Sequence, residues 1–244
     1  MGQTKYEYIG TFHEGFAVVK VNNKRWNFIG KQGKLLSDTW FDLCDTFYKG
    51  FAIVILDNKW NFIDKQGNII SDQWFDRCGY FQEDFARVKL DHKNNFINKQ
   101  GNIISGQWFD DCSVFHEGFA AVILNDRWNF IDEQGNTISD IWFDGCFSFN
   151  KGFAMVKLNK KYNYINKQGK YLSDQWFDWC YSFSEGFAAV LLNGRWNFID
   201  CHGYMLSDQW FDGCSSFYNG SATVMINGKH RTINTKGEIV NGTN

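Results

Sequence analysis

Proline is absent from all 244 residues of the chain. A chain without proline but with 23 glycines must turn on Gly, Asn and Asp, which favours tight β-turns and hairpins. No apolar run approaches the roughly 18 residues that a membrane-spanning helix needs. The opening MGQTKYEYIG has no apolar core of a signal peptide, and Tyr6 stands where a myristoylation motif on Gly2 wants Ser or Thr. Charge of either sign is not in excess: 25 Lys and Arg face 27 Asp and Glu, for a net charge of -2. A binder of phosphate backbones needs clustered basic residues, so nucleic acid is not expected as a partner. These absences predict a cytoplasmic chain, with secretion by a non-classical route as the alternative, and the chain is expected to be a monomer.

What the chain has is aromatic residues, at 19% with 11 Trp, and a repeat. Trp-Phe recurs at Trp40, Trp74, Trp108, Trp142, Trp176 and Trp210, always 34 residues apart. Cys44, Cys78, Cys112, Cys146, Cys180 and Cys214 keep the same step, as does a turn glycine from Gly33 or Gly67 to Gly237. At the N-terminus, Tyr6, Glu7, Ile9 and Phe12 fall where Phe41, Asp42, Cys44 and Phe47 stand in the next copy. Seven repeats follow, at approximately 5–39, 40–73, 74–107, 108–141, 142–175, 176–209 and 210–244, in one repeat domain.

Within a repeat such as GFAAVILNDRWNFIDEQGNTISDIWFDGC, the first stretch alternates with a period of two, which marks a strand with two different faces. One face is nearly constant (Ala17, Val19 and Val21; Ala52, Val54 and Leu56) and reads as core. The other varies: Val18 and Lys20, Ile53 and Ile55, Arg87 and Lys89, Ala121 and Ile123, Met155 and Lys157, Ala189 and Leu191. These residues form the candidate binding surface. A short polar loop leads to WNFI, where aromatic and β-branched residues predict a second strand. KQGN is a hairpin connection to a third short strand, as at Asn68–Ile70. SDQWFDxC is a fourth short strand or an irregular connector, and no stretch has helical periodicity.

GFAIVILDNKWNFIDKQGNII followed by WFDRCGYF resembles the WG-repeat family, whose pattern joins G-(L/F)-A-x-V to K-W-G-(Y/F)-I and a turn glycine. The resemblance runs from Tyr6 to Val240, and it implies a bacterial-type β-repeat architecture rather than an activity. Two features depart from the pattern. The glycine of Trp-Gly is Asn at Asn27, Asn61, Asn95, Asn129, Asn163 and Asn197, and the Trp itself gives way to Asn94, Tyr162 and His230.

Six identically placed cysteines without a CxxC pair, and five histidines without regular spacing, argue for small buried thiols rather than zinc ligands, disulfides or a nucleophile. Cys201 beside His202 is the irregular thiol, in a turn. Asp42, Asp76, Asp110, Asp144, Asp178 and Asp212 are read as caps of their own turns, against calcium or sugar hydroxyls as the sharper reading. The recurrent Asn of WNFI is read as a ladder of amides satisfying turn backbone between repeats, against a repeated polar ligand pocket. The tryptophans are read as packing between repeats, with stacking on sugars as the alternative. Unlike reactive groups do not converge anywhere, so no enzyme, cofactor or metal is expected.

A single repeat cannot bury its own apolar face, so neighbours must stack. The expectation is an all-β array of seven tandem β-hairpin repeats, stacked as an open superhelix or solenoid. The alternative is a closed seven-bladed propeller in which YEYI completes the last blade. The expected function is non-enzymatic binding or scaffolding of another protein. Carbohydrate or surface-ligand binding through repeated Trp, Asn and Asp pockets is the alternative.

Overall fold

The computed structural model describes residues 6–22 and 24–240. Gly2, Asn23 of the first hairpin loop and the expected outer limits at 5 and 244 lie outside the described residues. The chain is all-β, with no helix among the described residues. Its contacts group into two compact units, one ending at Phe115 and the other beginning at His116.

In the first unit, three antiparallel sheets follow one another. They are β1 (Tyr8–Ile9), β2 (Phe16–Val21) and β3 (Arg25–Gly30); β4 (Leu43–Cys44), β5 (Phe51–Leu56) and β6 (Lys59–Asp64); and β7 (Arg77–Cys78), β8 (Phe85–Leu90) and β9 (Lys93–Asn98), with β10 (Asp111–Cys112) after them. The second unit opens with the hairpin β11 (Ala120–Leu124) and β12 (Arg127–Ile131). Three sheets succeed it: β13 (Gly145–Cys146), β14 (Phe153–Leu158) and β15 (Lys161–Asn166); β16 (Trp179–Cys180), β17 (Phe187–Leu192) and β18 (Arg195–Asp200); and β19 (Gly213–Cys214), β20 (Ser221–Ile226), β21 (Lys229–Asn234) and β22 (Ile239–Val240).

From the second repeat on, the two long strands meet at a two-residue turn with left-handed backbone, as at Asp57 (φ 51°) and Asn58 (φ 61°). Such turns match the twist of the strands they join, and Asn and Asp tolerate them best after Gly. The expected third strand at Asn68–Ile70 shrinks to one bridge, Ile63 to Ile69. The Asp64 carboxylate closes that loop by accepting the backbone N–H groups of Gln66 and Asn68 at 2.9 and 2.8 Å.

The WFDxC segment does two jobs. Its Phe pairs backward: Phe75 and Trp60 exchange backbone hydrogen bonds at 2.8 and 2.9 Å. Two residues later the chain pairs forward, Arg77 opposite Lys89 and Cys78 opposite Val88. Successive sheets are stitched edge to edge in this way, which leaves fewer unpaired strand edges for aggregation. At the N-terminus Tyr8 stands opposite Lys20 and Ile9 opposite Val19, while β19 takes the same place beside β20. The N-terminal strand therefore belongs to the first sheet and does not complete the last one.

The core runs between sheets rather than inside them. Ile53 and Phe62 of one sheet pack with Phe75, Cys78, Phe81, Ala86, Val88 and Ile97 of the next. Phe41, Phe75, Phe109, Phe143, Phe177 and Phe211 are fully buried. At about 2–3 kcal/mol for each fully buried large apolar side chain, this shared layer supplies what one repeat cannot.

Candidate functional site

Three side chains from neighbouring strands form an outward row across each sheet, because directly opposed residues share a face. In the first unit the rows are Tyr8–Lys20–Trp26, Leu43–Ile55–Trp60 and Arg77–Lys89–Asn94. In the second they are Gly145–Lys157–Tyr162, Trp179–Leu191–Trp196 and Gly213–Met225–His230, and Ile123 stands opposite Trp128. The middle residues Lys20, Ile55, Lys89, Ile123, Lys157 and Leu191 are half-buried, with room to meet a partner.

The other half of the predicted surface lies elsewhere. Val18, Ile53, Ala121 and Ala189 are buried, because this level of the sheet faces the next repeat. Each stands opposite a constant Phe: Phe28, Phe62, Phe130 and Phe198. Met155 is half-buried, and Arg87 is exposed. The residues that the sequence reading missed are the first members of the rows, Leu43, Arg77, Trp179 and their equivalents. The signal was present: within WFDxC the x is the one position that changes freely.

The repeated polar residues are engaged inside the frame. Asn61 is fully buried, and its Nδ2 donates to Ser71 O at 2.8 Å and Gln73 O at 3.2 Å while its Oδ1 accepts Phe62 N–H at 2.8 Å. The same arrangement holds at Asn27, Asn95, Asn129 and Asn163. These amides serve the return loop of their own repeat, not the backbone of a neighbour as expected.

The Asp side chains likewise cap a turn other than their own. Asp42 accepts the N–H of Asp57 in the following hairpin at 2.7 Å and holds Arg25 of the preceding sheet at 3.0 Å. Asp76 does the same with Asp91 N–H and Lys59, and Asp178 with Asn193 N–H and Lys161. The hydrogen bonds from the lysines, then those from the turn N–H groups, hold both carboxyls below the usual range. Asp110, Asp144 and Asp212 pair with Lys93, Arg127 and Arg195. The Trp-Phe tryptophans are half-buried, and Trp74 and Trp108 pack against the preceding core.

Cavities open at two repeats whose row has neither Trp nor Tyr on its third strand. One of about 310 Å³ is lined by Arg77, Arg87, Lys89, Asn94, Asp110 and Asp111 among others. The other, about 220 Å³ and mostly apolar, lies beside Gly213, Met225 and His230. In the row Trp179–Leu191–Trp196 the rings instead crowd together. Trp179 packs on Tyr162 with ring centres 4.8 Å apart, and Tyr181 stacks on Trp196 at 5.3 Å.

Six segments, 3–24, 26–60, 62–93, 96–128, 130–162 and 164–196, match the family described as WG containing repeat. The chain belongs to the WG-repeat family. Its last repeat continues the strand pattern beyond the matched segments, through β19 to β22. No curated protein matches the chain. Among solved structures it is similar to BamB from Moraxella catarrhalis, at 10% identity over 94% of this chain and 82% of that one, with a TM-score of 0.30. It is also similar to Hsv2 from Kluyveromyces lactis, at 10% identity over 94% and 91%, with a TM-score of 0.34. Likeness this weak bears on neither the fold nor the function of this WG-repeat protein.

The repeat cysteines of this WG-repeat chain are free thiols that fill the core. Cys44, Cys78, Cys112 and Cys180 are buried, while Cys146 and Cys214 are half-buried. Burial pushes the thiols of Cys112, Cys180 and Cys214 up to about 12 and those of Cys44, Cys78 and Cys146 higher still. Cys201 is exposed. Since the thiolate is the reactive form, a disulfide reagent is expected to titrate one fast thiol in the folded protein and all the others only in denaturant. The Cys201→Ser variant should lose the fast phase. Several fast thiols in the folded protein would contradict this account of the core.

Proposed function

We propose that this protein is a non-enzymatic recognition module, whose constant residues build the stack and whose outward rows bind another macromolecule. One observation carries this reading: a uniform frame presents rows of different chemistry. These are Leu43–Ile55–Trp60, Arg77–Lys89–Asn94 and Trp179–Leu191–Trp196. Packing alone would select similar residues at equivalent positions, whereas recognition uses their differences. A protein partner suits the mixture of aliphatic, aromatic and charged rows, since aromatic anchors and arginine dominate protein interfaces. Seven free thiols fit a reducing compartment, and no helix is long and apolar enough to cross a membrane.

The test is affinity capture from native host lysate, comparing the wild-type chain with a variant carrying Ile55→Thr, Lys157→Thr and Leu191→Thr. Threonine keeps strand propensity at these half-buried positions. The reading expects a protein enriched by the wild type and lost with the variant, at matched thermal stability. Equal enrichment by both, or none by either, would remove the rows from that role.

A glycan surface is the second reading, and one observation favours it. Trp179 and Tyr181 are 39% and 47% exposed beside Trp196, a grouping of rings suited to stacking on sugars. Tryptophan emission that shifts saturably with simple sugars, and not in Trp179→Leu, would select it.

A further inference from the structure

The third repeat differs from its siblings in charge. Arg77 and Lys89 stand directly opposite each other on β7 and β8, and Lys89 directly opposite Asn94 on β9. Like charges facing each other across strands destabilise a sheet. Among the described residues neither side chain has an ion-pair or hydrogen-bond partner. No other row among the described residues pairs two cations. The charge is therefore peculiar to this repeat.

The same row has lost its ring. Trp26, Trp60 and Trp196 fill the corresponding place elsewhere, and Tyr162 does so in the fifth repeat. Asn94 is too short to fill it, and its amide turns aside to donate to Asp110 O at 2.9 Å. The cavity of about 310 Å³ lies where the ring would be. Arg87, two residues before Lys89, reaches the same cavity, where its Nη1 donates to Cys112 O at 2.9 Å and lies 3.6 Å from Asp111. The two carboxylates of the lining already have cations beside them, Lys93 for Asp110 and Arg87 for Asp111. Arg77 and Lys89 remain as two positive charges without counter-charge, at the edge of a hollow of ligand size.

We propose that this cavity is a subsite for a phosphate dianion, either free or carried on a side chain of a partner. Two uncompensated cations match two negative charges. An arginine fork beside a lysine suits a tetrahedral oxyanion, the guanidinium giving paired donors and the ammonium a point charge. The inference deepens the recognition reading by assigning a chemistry to one row, and it rests on that reading.

The test uses calorimetry on the full chain at fixed ionic strength. The probes are inorganic phosphate, a phosphoserine peptide and its unphosphorylated twin. Three variants import residues that sibling rows already accommodate: Arg77→Leu, Lys89→Ile and Asn94→Trp. Circular dichroism and thermal melting check that each one folds. Saturable phosphate binding by the wild type, weakened at least ~10-fold by Lys89→Ile and by Asn94→Trp, is the expected result. Tighter binding of the phosphopeptide than of inorganic phosphate would assign the subsite to a phosphorylated partner; the reverse would assign it to the free anion. No saturable binding of either phosphate probe by the wild type would overturn the proposal, and so would binding that the folded variants retain. If that happened while capture from lysate still depended on Ile55, Lys157 and Leu191, the recognition reading would stand and only the phosphate subsite would fall.

Discussion

The Gly101→Ala variant is expected to lose about twice as much stability as Gly50→Ala or more, although both glycines have left-handed backbone, at φ 85° and 92°. A left-handed conformation costs a residue with a Cβ about 1–2 kcal/mol. Gly50 should show little beyond that, since a Cβ there would meet no atom within 4 Å. A Cβ on Gly101 would fall inside the carbonyl oxygen of Ile70, in the return loop of the preceding repeat. Backbone cannot move aside by changing rotamer, so an overpacking penalty of about 1–3 kcal/mol or more is added. The sum, about 2–5 kcal/mol, corresponds to a fall in Tm of roughly 4–20 °C for a chain of this size. Thermal melts of the two variants decide the matter. Equal losses would mean that the return loops do not stack backbone on backbone. Gly67, Gly169, Gly203 and Gly237 make the same approach, to Leu36, Ile138, Leu172 and Leu206.

Those glycines separate what the sequence discloses from what only the stack creates. A glycine in KQGN announces a left-handed turn through its own conformational freedom, so the turn was legible. The carbonyl of Ile70 lies 31 residues earlier, and no local pattern couples the two positions. The strands divide in the same way. Alternation picked out Ala17 and Val19 as core, and both are fully buried. It assigned Ile53 and Ala121 to an open face, because period two distinguishes two faces without saying how many are covered. Face-to-face stacking covers both at that level and leaves only the residues nearer the hairpin turn outside. The binding rows were half legible for a related reason. Lys89 and Leu191 could be read from strand alternation, whereas Arg77 and Trp179 join them only through pairing with a two-residue strand. The cavity beside Asn94 was visible only as a missing tryptophan.

The Asn95→Leu variant is expected to be the most damaging substitution that keeps the number and branching of side-chain heavy atoms. Asn95 is fully buried, and its amide donates to Ser105 O at 2.9 Å and Gln107 O at 3.1 Å while accepting Phe96 N–H at 2.8 Å. Leucine fills the space and satisfies none of the three. An unpaired buried polar group costs about 1–3 kcal/mol, so the loss should reach about 2–6 kcal/mol even if one carbonyl finds water. The gain from burying a leucine, about 2 kcal/mol, offsets only the low end of that range. Asn95→Asp separates the polar from the steric contribution. Its carboxylate keeps the acceptor for Phe96 N–H but faces two carbonyl oxygens, an arrangement that favours the protonated acid. The folded state therefore raises the pKa of this Asp above its unfolded value of about 3.9, and the variant's stability is retained below that value and lost as pH rises through the folded one. Denaturant melts across pH should show Asn95→Asp approaching the wild type in acid and falling away toward neutrality. A constant difference between the two across the range would mean that Asn95 acts through shape, and that its amide does not anchor the return loop.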